Sequence, residues 1–180
     1  MSAAAPEGLE IRDGGRGDWP ALETLYAEAF PDEDLLPLIR ELLREGPSVT
    51  SLVALEGGEV SGHLLLTACA LEEDRGARLS LLGPLAVLPA RQRQGIGGSL
   101  LRFALARLVA QGCSRALVLG DPAYYGRFGF SQEQGVSAPY PLPPEWVQAW
   151  QSLVLEGGAR VPAGRLQVPP PWTKPALWQP

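Results

Sequence analysis

Arg91-Gln92-Arg93-Gln94-Gly95-Ile96-Gly97-Gly98 is the stretch whose residue types and spacing most directly imply chemistry. It joins a strand-like run, residues 79–87, to a helix-like run, residues 96–111. A glycine-rich loop that ends a strand and opens a helix presents backbone N–H groups with little side-chain cover. Those amides and the positive end of the helix dipole favour a phosphate. Glycine permits the close approach, because a Cβ would strike the ligand. The implied chemistry is retention of a pyrophosphate-bearing cofactor. The competing reading is an ordinary helix start with a mobile glycine turn.

Other phosphate loops fit less well. A dinucleotide fingerprint needs G-x-G-x-x-G, and here Gly97-Gly98 is followed by Ser99 and Leu100. A P-loop needs a lysine before Ser/Thr, and the single lysine, Lys174, is near the C-terminus. The order Gln92-Arg93-Gln94-Gly95-Ile96-Gly97 does fit Gln/Arg-x-x-Gly-x-Gly/Ala. It resembles the acyl-CoA signature of the GNAT superfamily of N-acetyltransferases.

The resemblance extends to both sides of the loop. Leu85-Ala86-Val87-Leu88-Pro89 is similar to the end of the family's fourth strand. In the family that strand splays from its neighbour, and its free backbone groups pair with the pantetheine arm, a cofactor version of β-augmentation. The resemblance thus implies acetyl-CoA as co-substrate, held by Leu85, Ala86, Val87, Gln92, Arg93, Gln94, Gly95, Ile96, Gly97 and Gly98. Downstream, Tyr125 through Phe130 matches Tyr-x-x-x-Gly-Phe, which resembles the family's final motif. There the tyrosine often protonates the departing thiolate. Asp-Pro-x-Tyr-Tyr at residues 121–125 resembles the YhbS-like branch of predicted acetyltransferases. The acid is then Tyr125 by motif position, with Tyr124 as second choice; packing against Phe128 and Phe130 is the alternative role for each.

The elements around these residues follow from patterning. Leu9-Glu10-Ile11-Arg12 alternates as a first strand. A helix runs from Asp18, its expected cap, to about Phe30, with Leu22, Leu25, Tyr26 and Ala29 inward. Pro31-Asp32-Glu33-Asp34 caps a second helix reaching Arg44. Residues 52–55 and 60–70 form a hairpin around Glu56-Gly57-Gly58-Glu59. Leu100, Leu101, Ala104, Leu105 and Leu108 recur at helical spacing, Gly112 stops that helix, and residues 116–119 read as a buried strand in a parallel crossover. Asp121-Pro122 is an N-cap with an N1 proline.

The order β-α-α-β-β-β-α-β-α-β resembles the GNAT fold over about residues 8–135. The expected class is α/β (α+β): a mixed central sheet with a splayed strand, helices on both faces and extra C-terminal strands. Residues 1–138 are expected to form the acetyltransferase domain. Residues 139–180, dense in proline and holding Trp146, Trp150, Trp172 and Trp178, are expected to pack on it, since disordered tails usually lack tryptophan. A short helix near Glu145, a strand over residues 149–155, a Gly157-Gly158 turn and a return strand near Leu166 are expected there. This extension would close the substrate cleft or form a homodimer contact.

Composition narrows the function. The chain has 180 residues, 46% hydrophobic and 19% charged, so it is globular rather than disordered. No apolar run reaches the ~20 residues of a membrane span. Residues 1–7 lack the basic start and apolar core of a secretion signal. Cys69 and Cys113 sit in apolar or helix-end contexts as expected free thiols, so a cytoplasmic location is expected. A net charge of −5 without a basic stripe disfavours nucleic acid. One histidine and two distant cysteines make no metal cluster, and G-x-S-x-G is absent.

The resemblance implies acetyl transfer to the amine of a small molecule or peptide. It asks for a donor to the thioester oxygen, most simply the backbone N–H near Leu85. It also asks for a base, since an amine has pKa near ~10. His63, a water chain, or one of Glu28, Asp32, Glu33 and Asp34 stay open for that role. A structural histidine and helix-cap acids are the plainer readings. Arg91 and Arg93 are placed to meet the cofactor's adenosine phosphates, Arg127 less so. A CoA-binding sensor without catalysis is the alternative function, and another acyl group or an oxygen acceptor stays open.

Overall fold

The computed structural model describes residues 6–179. Residues 1–5, part of the segment read above as lacking a secretion signal, and Pro180 of the proline-rich tail lie outside them. The chain divides into two compact units: residues 1–66 with 83–104, and residues 67–82 with 105–180.

In the first unit, β1 (Leu9–Asp13) pairs antiparallel with β2 (Val49–Glu56), Ile11 opposite Ala54. The Gly57-Gly58 turn, with φ of 59° and 87°, joins β2 to β3 (Glu59–Leu71) in the positive-φ geometry that tight hairpins favour. The strand order here is β1-β2-β3-β4, with β4 spanning Leu79–Val87. α1 (Trp19–Ala29) buries Leu22, Leu25 and Tyr26, and α2 (Leu36–Arg44) buries Leu38, Ile39 and Leu42, each at helical spacing. α3 (Ile96–Ala110) contributes Ile96, Leu100, Leu101 and Ala104 to the same core.

In the second unit the order is β3, β4, β5 (Arg115–Leu119), β8 (Trp150–Val154) and β6 (Ser131–Gln132). The far parts of β3 and β4 enter it, and β5 (Arg115–Leu119) runs parallel to β4 through Leu79↔Arg115 to Leu81↔Leu117. That parallel pairing follows from the right-handed crossover through α3, which Gly112 (φ 70°) ends. α4 (Pro122–Tyr125) precedes β6 (Ser131–Gln132) and β7 (Val136–Ser137). β8 (Trp150–Val154) pairs antiparallel with β5, and β9 (Gly164–Gln167) pairs with β3 and β7. Trp150, Trp172 and Trp178 are buried in this unit, with Trp172 Nε1 donating to Thr67 Oγ1 at 3.1 Å.

Two expectations are corrected. Asp18 does not cap α1: its carboxylate accepts from both terminal nitrogens of Arg12, at 2.9 and 2.8 Å, and from Gly15 N at 2.7 Å. An ion pair with a strand arginine outcompetes the helix amides for the same oxygens. The short helix expected near Glu145 is present as a 3₁₀ segment, Pro144–Ala149. The last strand does not return onto β8 but joins Ala70 and Leu71 of β3, opposite Gln167 and Leu166.

Candidate active site

The glycine-rich loop lies in the first unit, between β4 and α3. A 3₁₀ turn at Pro89–Arg91 leaves the strand, Gln92 is extended, and then Arg93 and Gly95 take φ of 62° and 89°. Among the described residues Arg93 is the one non-glycine with positive φ. A side chain held in that region marks a backbone whose shape is fixed by its surroundings. Ser99 N donates to Gly95 O at 2.9 Å, the first i→i−4 bond of α3. The amides of residues 95–98 precede that ladder, as a helix start requires. Ile96 is buried, Gly97 and Gly98 are half-buried, and Gln92 to Gln94 are exposed.

Two glutamines brace the loop. Gln92 Nε2 donates to Val87 O at 3.2 Å, and Gln94 Nε2 donates to Ala90 O at 3.1 Å. Arg91 faces Glu56, Nε to Oε2 at 3.6 Å. The helix behind the loop is seated by Gly62 of β3. A Cβ there would come 3.0 Å from both Ile96 Cγ2 and Leu100 Cδ1, and 3.3 Å from the Ala86 carbonyl. A lone glycine inside a strand pattern is the signal for such a close approach, and the sequence reading passed over it.

The β4 segment beside the loop has Leu85 and Val87 half-buried and Ala86 buried. Gly83 turns with φ 136°, and Pro84 has no N–H to give to a ladder. Leu88 N donates to Ser61 O at 3.0 Å, so β3 and β4 are still joined beyond Val87.

His63 is fully buried in the first unit, between Tyr26 Oη at 2.8 Å from Nδ1 and Ser51 Oγ at 2.9 Å from Nε2. Burial pushes its pKa down to about 3, with Asp18 pulling weakly the other way. The imidazole is therefore neutral near pH 7 and walled off from solvent. Burial raises the pKa of the Tyr26 phenol, which keeps its proton. Tyr26 was expected only as an inward helix residue, and Ser51 not at all. Glu28, Asp32, Glu33 and Asp34 are exposed, and Asp34 Oδ1 accepts from Leu36 N at 3.3 Å.

Tyr124 and Tyr125 lie in the second unit, on α4. Asp121 Oδ1 accepts from Ala123 N at 2.8 Å, the expected cap. The Tyr125 ring meets Tyr124 edge-on at 5.0 Å and Phe130 at 5.7 Å. It lies directly against Gly120, where any Cβ would strike it. Burial, and then Tyr124, raise the pKa of Tyr125, so it is a phenol rather than a phenolate. The Arg127 guanidinium sits 4.7 Å over the Tyr124 ring. Among the described residues no group of three metal-ligating side chains exists, and no helix is long and apolar enough to cross a membrane.

Comparison with known proteins identifies the family. The Acetyltransferase (GNAT) family pattern matches residues 19–130. The chain is 33% identical over 149 residues to the uncharacterised N-acetyltransferase YjhQ of Escherichia coli (strain K12), covering 78% of this chain and 82% of that protein. It is 31% identical over 116 residues to the uncharacterised N-acetyltransferase YhbS of the same strain, covering 63% and 68%. Among solved structures, a GNAT family acetyltransferase from Brucella melitensis in complex with acetyl-CoA superposes with a TM-score of 0.73 at 28% identity, over 91% of this chain and 97% of that one. The E. coli YhbS structure in complex with CoA superposes with a TM-score of 0.80 over 97% of both chains; at 22% identity it shows a shared fold.

Proposed function

This chain belongs to the GNAT acetyltransferase family and has its fold, and on that premise we propose that it moves an acetyl group from acetyl-CoA to an amine. The observation that carries the reading is the loop. Arg93 and Gly95 hold positive φ just before a helix whose first i→i−4 bond starts at Gly95. That arrangement suits a diphosphate, with amides 95–98 as donors. Leu85, Ala86 and Val87 would pair with the pantetheine arm, and the backbone of Gln92, Arg93, Gln94 and Ile96 would complete the cradle.

Acetyl-CoA supplies an activated thioester. The chain's part is to anchor that long molecule at its diphosphate, which lowers the entropic barrier. The Leu85 amide would donate to the thioester oxygen as charge develops there. As the carbon–sulfur bond breaks, Tyr125 would give its phenolic proton to sulfur, with Tyr124 as second choice. His63 is poorly suited to take the amine's proton, because burial lowers its pKa to about 3 and both ring nitrogens already have partners, so a water chain would carry that proton. The exposed acids near α1 and α2 suit attraction of a cationic amine. Two unbridged, buried thiols, Cys69 and Cys113, suit a reducing cytoplasm. Residues 139–180 would complete the same domain, since β8 borders β5.

An amine panel with acetyl-CoA and thiol detection tests the proposal. Thiol release that needs both the amine and Tyr125 supports transfer. Tight acetyl-CoA binding with no release from any amine would leave a sensor instead.

A further inference from the structure

The buried hydroxyl of Tyr26 has no part in the reading above, yet its partners lead to the reacting segment. Tyr26 and His63 are 1% and 0% exposed. Besides His63, the phenol faces the Pro84 carbonyl at 3.5 Å. A carbonyl only accepts, so Tyr26 is the donor there. One assignment of hydrogens serves every group. Ser51 Oγ donates to His63 Nε2, His63 Nδ1 donates to Tyr26 Oη, and Tyr26 Oη donates to Pro84 O. The reverse assignment turns the phenol's proton to Nδ1 and takes it from the carbonyl.

Pro84 C=O and Leu85 N–H belong to one planar peptide unit. A donor that fixes the carbonyl therefore fixes the direction of the amide. It also polarises that amide, because hydrogen bonds in series strengthen one another. Neither neighbour does this locally: Gly83 is at φ 136° and Pro84 has no N–H.

We propose that Tyr26, backed by His63 and Ser51, is a positioning residue that aims and polarises the Leu85 amide toward the thioester oxygen. The inference rests on the acetyl-transfer reading for its role and on the first unit alone for its geometry.

Tyr26→Phe tests it, since the variant keeps the ring stacked on Phe30 and removes only the hydroxyl. The ¹H–¹⁵N signal of Leu85 is followed in the full chain, together with kcat and the Kd for acetyl-CoA. The expected result is an upfield move of the Leu85 amide proton, larger than any on β1, with kcat down about tenfold and Kd within about twofold. Ser51→Ala, at the partly exposed head of the chain, should shift both readouts the same way by less. An unmoved Leu85 amide in both variants overturns the proposal, and so does a loss confined to Kd. If the wild-type protein acetylates no amine, acetyl transfer fails separately. The amide signal then decides alone: a move supports the Tyr26–Leu85 link, and no move overturns it.

Discussion

Tyr26 Oη and His63 Nδ1 are 2.8 Å apart in the core of the first unit, where neither residue meets solvent. The pair makes stability depend on pH. Burial holds the folded pKa of His63 near 3, against about 6.5 in an unfolded chain. Between those values the unfolded state binds the extra proton, so stability is full above pH 6.5 and falls as pH drops toward 3. The expected slope is about 1.4 kcal/mol per pH unit, or about 2 kcal/mol between pH 6.5 and 5. Asp18 and Glu133 are also lowered, but they act only below the ordinary carboxylate range. Urea titrations at pH 7 and 5 should show the loss, and His63→Gln should flatten it. An equal slope in that variant would remove His63 as its source.

Tyr125→Phe should lower kcat at least about tenfold while acetyl-CoA affinity stays within about twofold, since a general acid acts on the step and not on binding. Steady-state thiol release with parallel calorimetry separates the two. Full turnover would transfer the acid role to Tyr124 or water.

Gln92 Nε2 holds the Val87 carbonyl at 3.2 Å, a group the pantetheine arm would need. The side chain and the cofactor amide then compete for one acceptor. Gln92→Ala should tighten acetyl-CoA by about threefold, the size of one net hydrogen bond. Weaker binding in calorimetry would instead make the Gln92 side chain a cofactor contact.

The elements were legible where periodicity and punctuation agreed. Leu100, Leu101, Ala104 and Leu108 lie buried on α3, as their spacing required, while Leu105 of the same set is only half-buried. Gly57-Gly58, Gly112 and Asp121-Pro122 ended or started elements where expected. What stayed hidden depended on partners distant in sequence. Asp18 went to Arg12 across a turn, and Ser51 met His63 across a hairpin. Gly62 and Gly120 matter through what packs on them, Ile96 and Leu100 on one and Tyr125 on the other. No local pattern encodes such neighbours. At the loop, the glycine turn and the helix start at Ile96 fall where the residue types put them.

Trp178→Ala should destabilise the protein by about 3–5 kcal/mol, a large share of the stability of a typical domain. Its ring is 1% exposed, meets Trp150 edge-on, and its Nε1 donates to the Trp172 carbonyl at 3.0 Å. Removing residues 139–180 also strips β8 from β5 and should abolish a cooperative urea transition. A truncated chain that melts like the full one would make the extension dispensable.

Coenzyme A titrated into ¹⁵N-labelled protein reports most directly on whether the backbone at residues 95–98 grips a diphosphate. The largest shifts should fall on the amides of Gly95, Ile96, Gly97 and Gly98, and Gly97→Glu should abolish them. Saturable shifts elsewhere that leave these four unmoved, or unchanged binding by Gly97→Glu, would contradict the assignment.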